Sequence, residues 1–123
     1  MSIAYWIIAG LLALVYLTAG GMKAFRSPDA LVAGGIAWAK DESLPLVRVI
    51  GVVEVLGALG LILPPLTGIA PVLGPVAAIG LALVQLGAVI FHLRRGEARV
   101  VPMNLVLLLL AVAVAILGFL VWV

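Results

Sequence analysis

The sequence contains no cysteine. That absence removes disulfides, thiol redox chemistry, iron–sulfur clusters and thiolate metal sites. It also excludes any reductase that would pass electrons to a quinone through a dithiol. Charge is scarce too. Only 10% of the 123 residues are Asp, Glu, Lys or Arg, against about 25% in soluble domains. A single histidine is present, so a haem held by two histidines is excluded and a metal site would lack a usual ligand set. There is no Gly-rich nucleotide fingerprint and no nucleophile elbow.

What is there is apolar. The chain is 67% hydrophobic with a mean hydropathy of +1.43, more apolar surface than one small soluble core can hide. The bilayer is the expected solvent. Four apolar runs, residues 3–22, 45–63, 71–92 and 102–123, approach the ~20 residues needed to cross it. With no water to satisfy the backbone, each run must be a helix. The 14 glycines are no objection, because such helices tolerate them. The first run has no base before Lys23 and is long for a signal-peptide core, so it is expected to be retained. The expected fold is all-α: one domain, a polytopic four-transmembrane-helix bundle, with a short interfacial helix in the first loop.

The bases set the expected orientation. Lys23, Arg26, Lys40 and Arg48 lie in or beside the first loop, and Arg94, Arg95 and Arg99 lie in the third. The second loop, "PPLTGIAPVLG", carries no charge. Loops one and three should therefore face the cytoplasm, with both termini outside, in a bacterial plasma membrane. The net charge of +2 follows from topology. No Arg/aromatic interleaving points to nucleic acid.

Along the first run, Tyr5, Ala9, Leu12, Tyr16, Gly20 and Lys23 repeat at helical spacing. In the first loop, Ser27 is an expected N-cap, Pro28 the first helical residue, and Gly34 with Gly35 a stop. This loop, with Trp38 and the charges after it, is expected to lie on the interface as a lid. Pro64 and Pro65 are expected to end the second long helix. The third is expected to begin between Pro71 and Pro75. On the fourth, Asn104, Leu108, Ala111, Ala115, Gly118 and Trp122 form a stripe whose small residues permit close packing or a dimer face.

Polar residues are few and gather at one end. Glu54 lies roughly 13 Å into its helix by helical rise. Gln85 is seven residues from His92 on one face and is level with Glu54. Lys23, Arg48, His92 and Asn104 stand at the basic end. A carboxylate at mid-bilayer costs about 2.5 kcal/mol or more, so it must be neutral, paired or wet. A neutral Glu54 would donate to Gln85; an ionised one needs Lys23, Arg48 or His92. Glu54 and His92 are the candidate proton-transfer pair. Lys23, Arg48, Gln85 and Asn104 are the candidate polar groups of a binding pocket. Each also has a purely structural reading: Glu54 as interhelical glue, Lys23 as a snorkelling anchor, and His92 and Asn104 as helix-end residues.

Three segments carry a resemblance: "YLTAGGMKAF", "LPLVRVIGVVEVLGALGLIL", and "LVQLGAVIFHLRRGE" running into "VVPMNLVLLLLA". Together they resemble the DoxX-like family of small four-helix membrane proteins. The glycine–Lys23, Glu54 and His92 positions match that family's recurring polar positions. The first loop matches poorly in detail. The resemblance implies a four-helix bundle but no single activity. Relatives are linked to quinone-coupled oxidation of sulfur compounds, to membrane oxidoreductase assemblies and to receptor assembly in animals.

The functions in competition are therefore four. The leading expectation is a small subunit that binds a quinone-like lipophile in a cytoplasmic-side pocket around Glu54. The others are an assembly factor or scaffold that holds a membrane partner or a second copy, an acid–base enzyme acting on a small lipophilic substrate, and a proton-coupled carrier. A ligand site requires an apolar cavity beside Glu54; glue requires close packing there.

Overall fold

The computed structural model describes residues 2–34, 36 and 43–122. Five helices form among them: α1 (Ser2–Phe25), α2 (Pro28–Ala33), α3 (Leu44–Thr67), α4 (Leu73–Arg94) and α5 (Val101–Trp122). The four long ones are each apolar and long enough to cross a membrane, and no strand occurs among the described residues. α1 packs on α3, α3 on α4, α4 on α5 and α5 back on α1. Tyr5 meets Leu61 where Gly20 meets Gly51, Gly57 meets Leu81 where Gly74 meets Pro65, and Gly118 meets Pro75, so successive long helices are antiparallel and form an up-down-up-down bundle.

These helices are greasy all round, and burial is decided by small residues. Ile3, Leu14, Leu56, Leu83 and Leu109 all lie more than half exposed on the exterior, as lipid-facing residues do. The interior is narrow. Ala9, Ala13, Ala58, Ala78, Ala111 and Ala115 are buried and let the helices approach. Tyr5, Leu12, Tyr16, Leu61, Leu81 and Val114 fill what remains. This packed core occupies the end of the bundle away from the charges. There Tyr5, Trp6 and Trp122 meet edge to face, with ring centroids 5.5–5.9 Å apart, a favoured aromatic geometry.

α3 runs through Pro64 and Pro65 to Thr67, which corrects the expectation that these prolines end it. A proline at position 65 has no N–H for the Leu61 carbonyl. The Tyr5 hydroxyl takes that place, donating to the Leu61 oxygen at 2.7 Å. The carbonyl that Pro65 leaves without a donor is thus paired as the helix continues. It stops at Gly68, whose φ of +75° closes the end and whose N–H bonds the Pro64 carbonyl.

At the charged end, Ser27 Oγ accepts from the Ala30 N–H at 3.2 Å and starts α2. Leu31 of α2 and Val47 of α3 are fully buried, and Met22 and Ile36 pack against them. Trp38, Lys40, Asp41 and Glu42, on which the expected lid rests, lie outside the described residues.

α1 and α3 touch backbone to backbone. A Cβ on Gly51 would stand 2.6 Å from both the Gly20 carbonyl oxygen and the Ala24 nitrogen; one on Gly20 would stand 2.7 Å from the Gly51 oxygen. Gly21 faces open space. Gly51→Val should therefore destabilise the bundle by about 1–3 kcal/mol, while Gly21→Val should be near neutral, as read by thermal unfolding in detergent. Tyr5→Phe should cost about 1–3 kcal/mol by leaving the Leu61 carbonyl unpaired.

Candidate functional site

The glycine crossing sets the site. Side chains on a helix lean toward its N-terminus. Lys23, near the end of α1, leans inward; Glu54, on antiparallel α3, leans out toward the charged end. With the backbones held together at Gly20 and Gly51, the two converge. Lys23 Nζ lies 2.6 Å from Glu54 Oε1, with the Glu54 side chain 3% and the Lys23 side chain 14% exposed. Among the partners that the sequence leaves open, Lys23 is the one that pairs with Glu54. Buried pairs of this geometry are charge-assisted hydrogen bonds as well as ion pairs.

Arg48 has a different task. Its guanidinium donates to the Lys23 carbonyl oxygen at 2.9 Å, one of the orphan acceptors in the last turn of α1. A cation there also complements the helix dipole. Arg48 is not among the residues that line the cavity described below. It fixes the backbone from which Lys23 projects.

Beside Glu54 lies a cavity of about 440 Å³, within the range of small-molecule sites. Lys23, Glu54, Gln85, His92 and Asn104 supply its polar lining; Leu46, Val49, Ile50, Val53, Leu83, Val84 and Phe91 supply most of its apolar wall. α3 and α4 press together further along, where a Cβ on Gly57 would stand 2.6 Å from Leu81 and one on Gly60 would stand 2.9 Å from Ala77. The cavity fills the space between them on the charged side of that contact. Its wall residues Leu46, Val49, Val53 and Leu83 are also exposed on the outer surface, so it is open laterally between α3 and α4, toward lipid.

Five of the six candidate residues are thus brought to one place, and Arg48 supports them from behind. Not all are engaged. Gln85 is buried and its Oε1 accepts no hydrogen bond; the buried Nδ2 of Asn104 has no acceptor. Glu54 and Gln85 are not hydrogen-bonded to each other. The Tyr16 hydroxyl stands beside Gln85, also without a hydrogen bond, and does not line the cavity.

His92 turns to a residue that the sequence reading did not single out. Its Nδ1 is 3.0 Å from Glu97 Oε1, which also accepts from Arg95 Nε at 2.8 Å. The hydrogen bond from His92 and then that from Arg95 hold the Glu97 carboxyl below its usual value of 4.5. Glu97 is therefore an anion at neutral pH, and Nδ1–H of His92 donates to it. The signal available in the sequence was "HLRRGE", six residues that turn at Gly96, whose φ is +73°. Only the turn brings the carboxylate back over the imidazole. The described residues contain no group of three His, Asp or Glu side chains arranged to hold a metal.

A ring of four spanning helices, a buried ion pair and a lipid-facing cavity define a polytopic integral membrane protein with a polar site inside its bundle. The DoxX-like family model matches residues 7–114, which takes in α1 through most of α5 and every polar residue of the site. The chain belongs to the DoxX-like family. No curated protein and no solved structure matches it.

Removing one member of the ion pair should be costly. Lys23→Met or Glu54→Leu alone should destabilise by about 3–5 kcal/mol, and the double variant by less than either, because no buried charge is then left alone. A double-mutant cycle of unfolding in detergent measures this. The Glu97 contact has a defined pH window. Its carboxyl is lowered in the folded state, so the contact contributes fully above about 4.5 and is lost as pH falls through the lower folded value. Nitrogen chemical shifts of His92 should follow that loss, and Glu97→Gln should abolish the acid transition.

Proposed function

We propose that this DoxX-like protein binds a quinone-like lipophile in the cavity around Glu54, as a small membrane subunit working with a lipophilic redox partner. One observation carries the reading. A cavity of about 440 Å³ lies at the most expensive polar residue in the chain, instead of being filled by neighbouring side chains. Native interiors are close-packed, with few voids larger than a water molecule. An open space with apolar walls, buried polar groups and lateral access to lipid suits an amphipathic molecule that arrives through the bilayer. His92 and the Lys23–Glu54 pair are the groups available to polarise the ligand or exchange its protons, and on this reading the charged end faces the cytoplasm.

A second reading is favoured by a different observation. Glu54 already has a close partner in Lys23 at 2.6 Å, and its Cβ packs against Gly20. Glu54 then acts as interhelical glue in a scaffold that holds another membrane protein or a second copy.

The two separate on one measurement. Gly87 lines the cavity, and a Cβ there meets nothing within 4 Å, so Gly87→Leu occupies the cavity rim without disturbing the ion pair. Mass spectrometry of lipophiles co-purified with wild type, Gly87→Leu and Glu54→Gln decides. A specific lipophile carried by wild type and reduced at least tenfold in Gly87→Leu supports the ligand site. Bulk phospholipid alone in all three, with Glu54→Gln unstable, supports the scaffold.

A further inference from the structure

The cavity has two boundaries that differ in kind. Its side, between α3 and α4, is apolar and open: Val49 is 59% and Leu83 62% exposed. Its charged end is polar and covered. Lys23 and His92, which line it there, keep only 14% of their side chains exposed. The route by which a ligand reaches the cavity follows from this difference, and it rests on the ligand-site reading above.

The end of α4 covers His92. The Gly96 N–H bonds the Leu93 carbonyl, and the Glu97 N–H bonds the His92 carbonyl at 2.8 Å. With Gly96 at φ +73°, this is a Schellman turn, which brings the residue after the glycine back onto the last turn of the helix. That residue frequently makes an apolar contact there. Here it is Glu97. Its Oε1 accepts from His92 Nδ1 at 3.0 Å and from Arg95 Nε at 2.8 Å. Arg95 in turn lies over the Phe91 ring, 5.6 Å from its centroid, and Phe91 meets His92 edge to face at 5.4 Å. Four side chains thus close a ring of four contacts. Two of them, Phe91 and His92, belong to the cavity wall; the other two belong to the turn. A carboxylate suits this position, because it bonds two partners at once and fixes their orientation.

We propose that this ring is a latch on the charged end of the cavity. Glu97 holds His92 and, through Arg95, Phe91 in place across that end. Charged solutes from water are shut out there, and a ligand enters from the bilayer, past Val49, Val53 and Leu83. Without the latch the same cavity opens to water at its charged end.

The chain has no cysteine, so a single Ala88→Cys reporter can be placed in the cavity wall, one turn in from His92. Three methanethiosulfonates that differ only in their side group are applied to the full chain in phosphatidylcholine nanodiscs: propyl, sulfonatoethyl and trimethylammonioethyl. Each rate is divided by that of the same reagent with mercaptoethanol. The propyl reagent should react readily. Both charged reagents should react at least about tenfold more slowly, because a charge is heavily penalised in lipid. Adding Glu97→Gln should raise both charged rates about fivefold, the shift that loss of one partly exposed ion pair allows, and leave the propyl rate unchanged. Arg95→Gln should raise both charged rates as well. The two signs separate a latch from a field, since removing a negative charge by itself would speed the sulfonate and slow the ammonium. That split, charged rates that ignore Glu97→Gln, or charged reagents that match propyl with the turn intact would overturn the inference and leave a ligand site standing. No reaction with any reagent would sink the cavity as a ligand site and the inference with it. The comparison of reagents with the turn intact needs no second substitution, so a Glu97 or Arg95 variant that misfolds leaves the test in force.

Discussion

The charged half of this protein depends on one contact, the ion pair between Lys23 and Glu54 laid across a glycine–glycine crossing. In a bilayer neither charge has water to fall back on. A carboxylate two turns inside α3 is affordable only if a cation reaches it, and a lysine reaches it only if the helix axes come close. Gly20 and Gly51 supply that closeness, because a methyl group at either would strike the opposing backbone. Arg48 then secures the end of α1 by capping the Lys23 carbonyl. Electrostatics, helix packing and helix capping are here one structure, and a change in any of them is felt by the others.

The bundle divides its labour along its length. At one end alanines, aromatic edges and the Tyr5–Leu61 bond make a close-packed core. At the other, α3 and α4 leave a space lined by the few polar side chains that the chain has. The tightness of the first half supports the openness of the second. Contacts at Gly57 with Leu81 and at Gly60 with Ala77 hold α3 and α4 together where they must not slide, and the cavity begins beyond them. The ion pairs beside that space, Lys23 with Glu54 and His92 with Glu97, are formed within the protein.

Much of this was legible in the amino-acid order. The stripe from Tyr5 to Gly20 is the buried face of α1, and the stripe from Ala111 to Gly118 is that of α5, since helical periodicity survives any choice of neighbours. Ser27 caps α2 as its chemistry requires. The prolines misled, because their usual effect is to end a helix, and the tyrosine hydroxyl that rescues the freed carbonyl is 56 residues away. Glu97 was overlooked for a related reason. It stands in a polar turn where a carboxylate is ordinary surface charge, and only the fold of that turn sets it against His92.

By itself, then, the sequence determined the solvent, the number of spanning helices and the gathering of polar residues at one end. These follow from composition, run length and rise per residue, quantities that need no tertiary structure. Tertiary structure alone decided which cation meets Glu54, that Arg48 serves a carbonyl instead of a carboxylate, and that Gln85 and Asn104 line one open space. Pairing depends on the distance between helix axes and on the direction in which side chains lean. Two glycines in contact decide both, and their contact is invisible until the helices are placed.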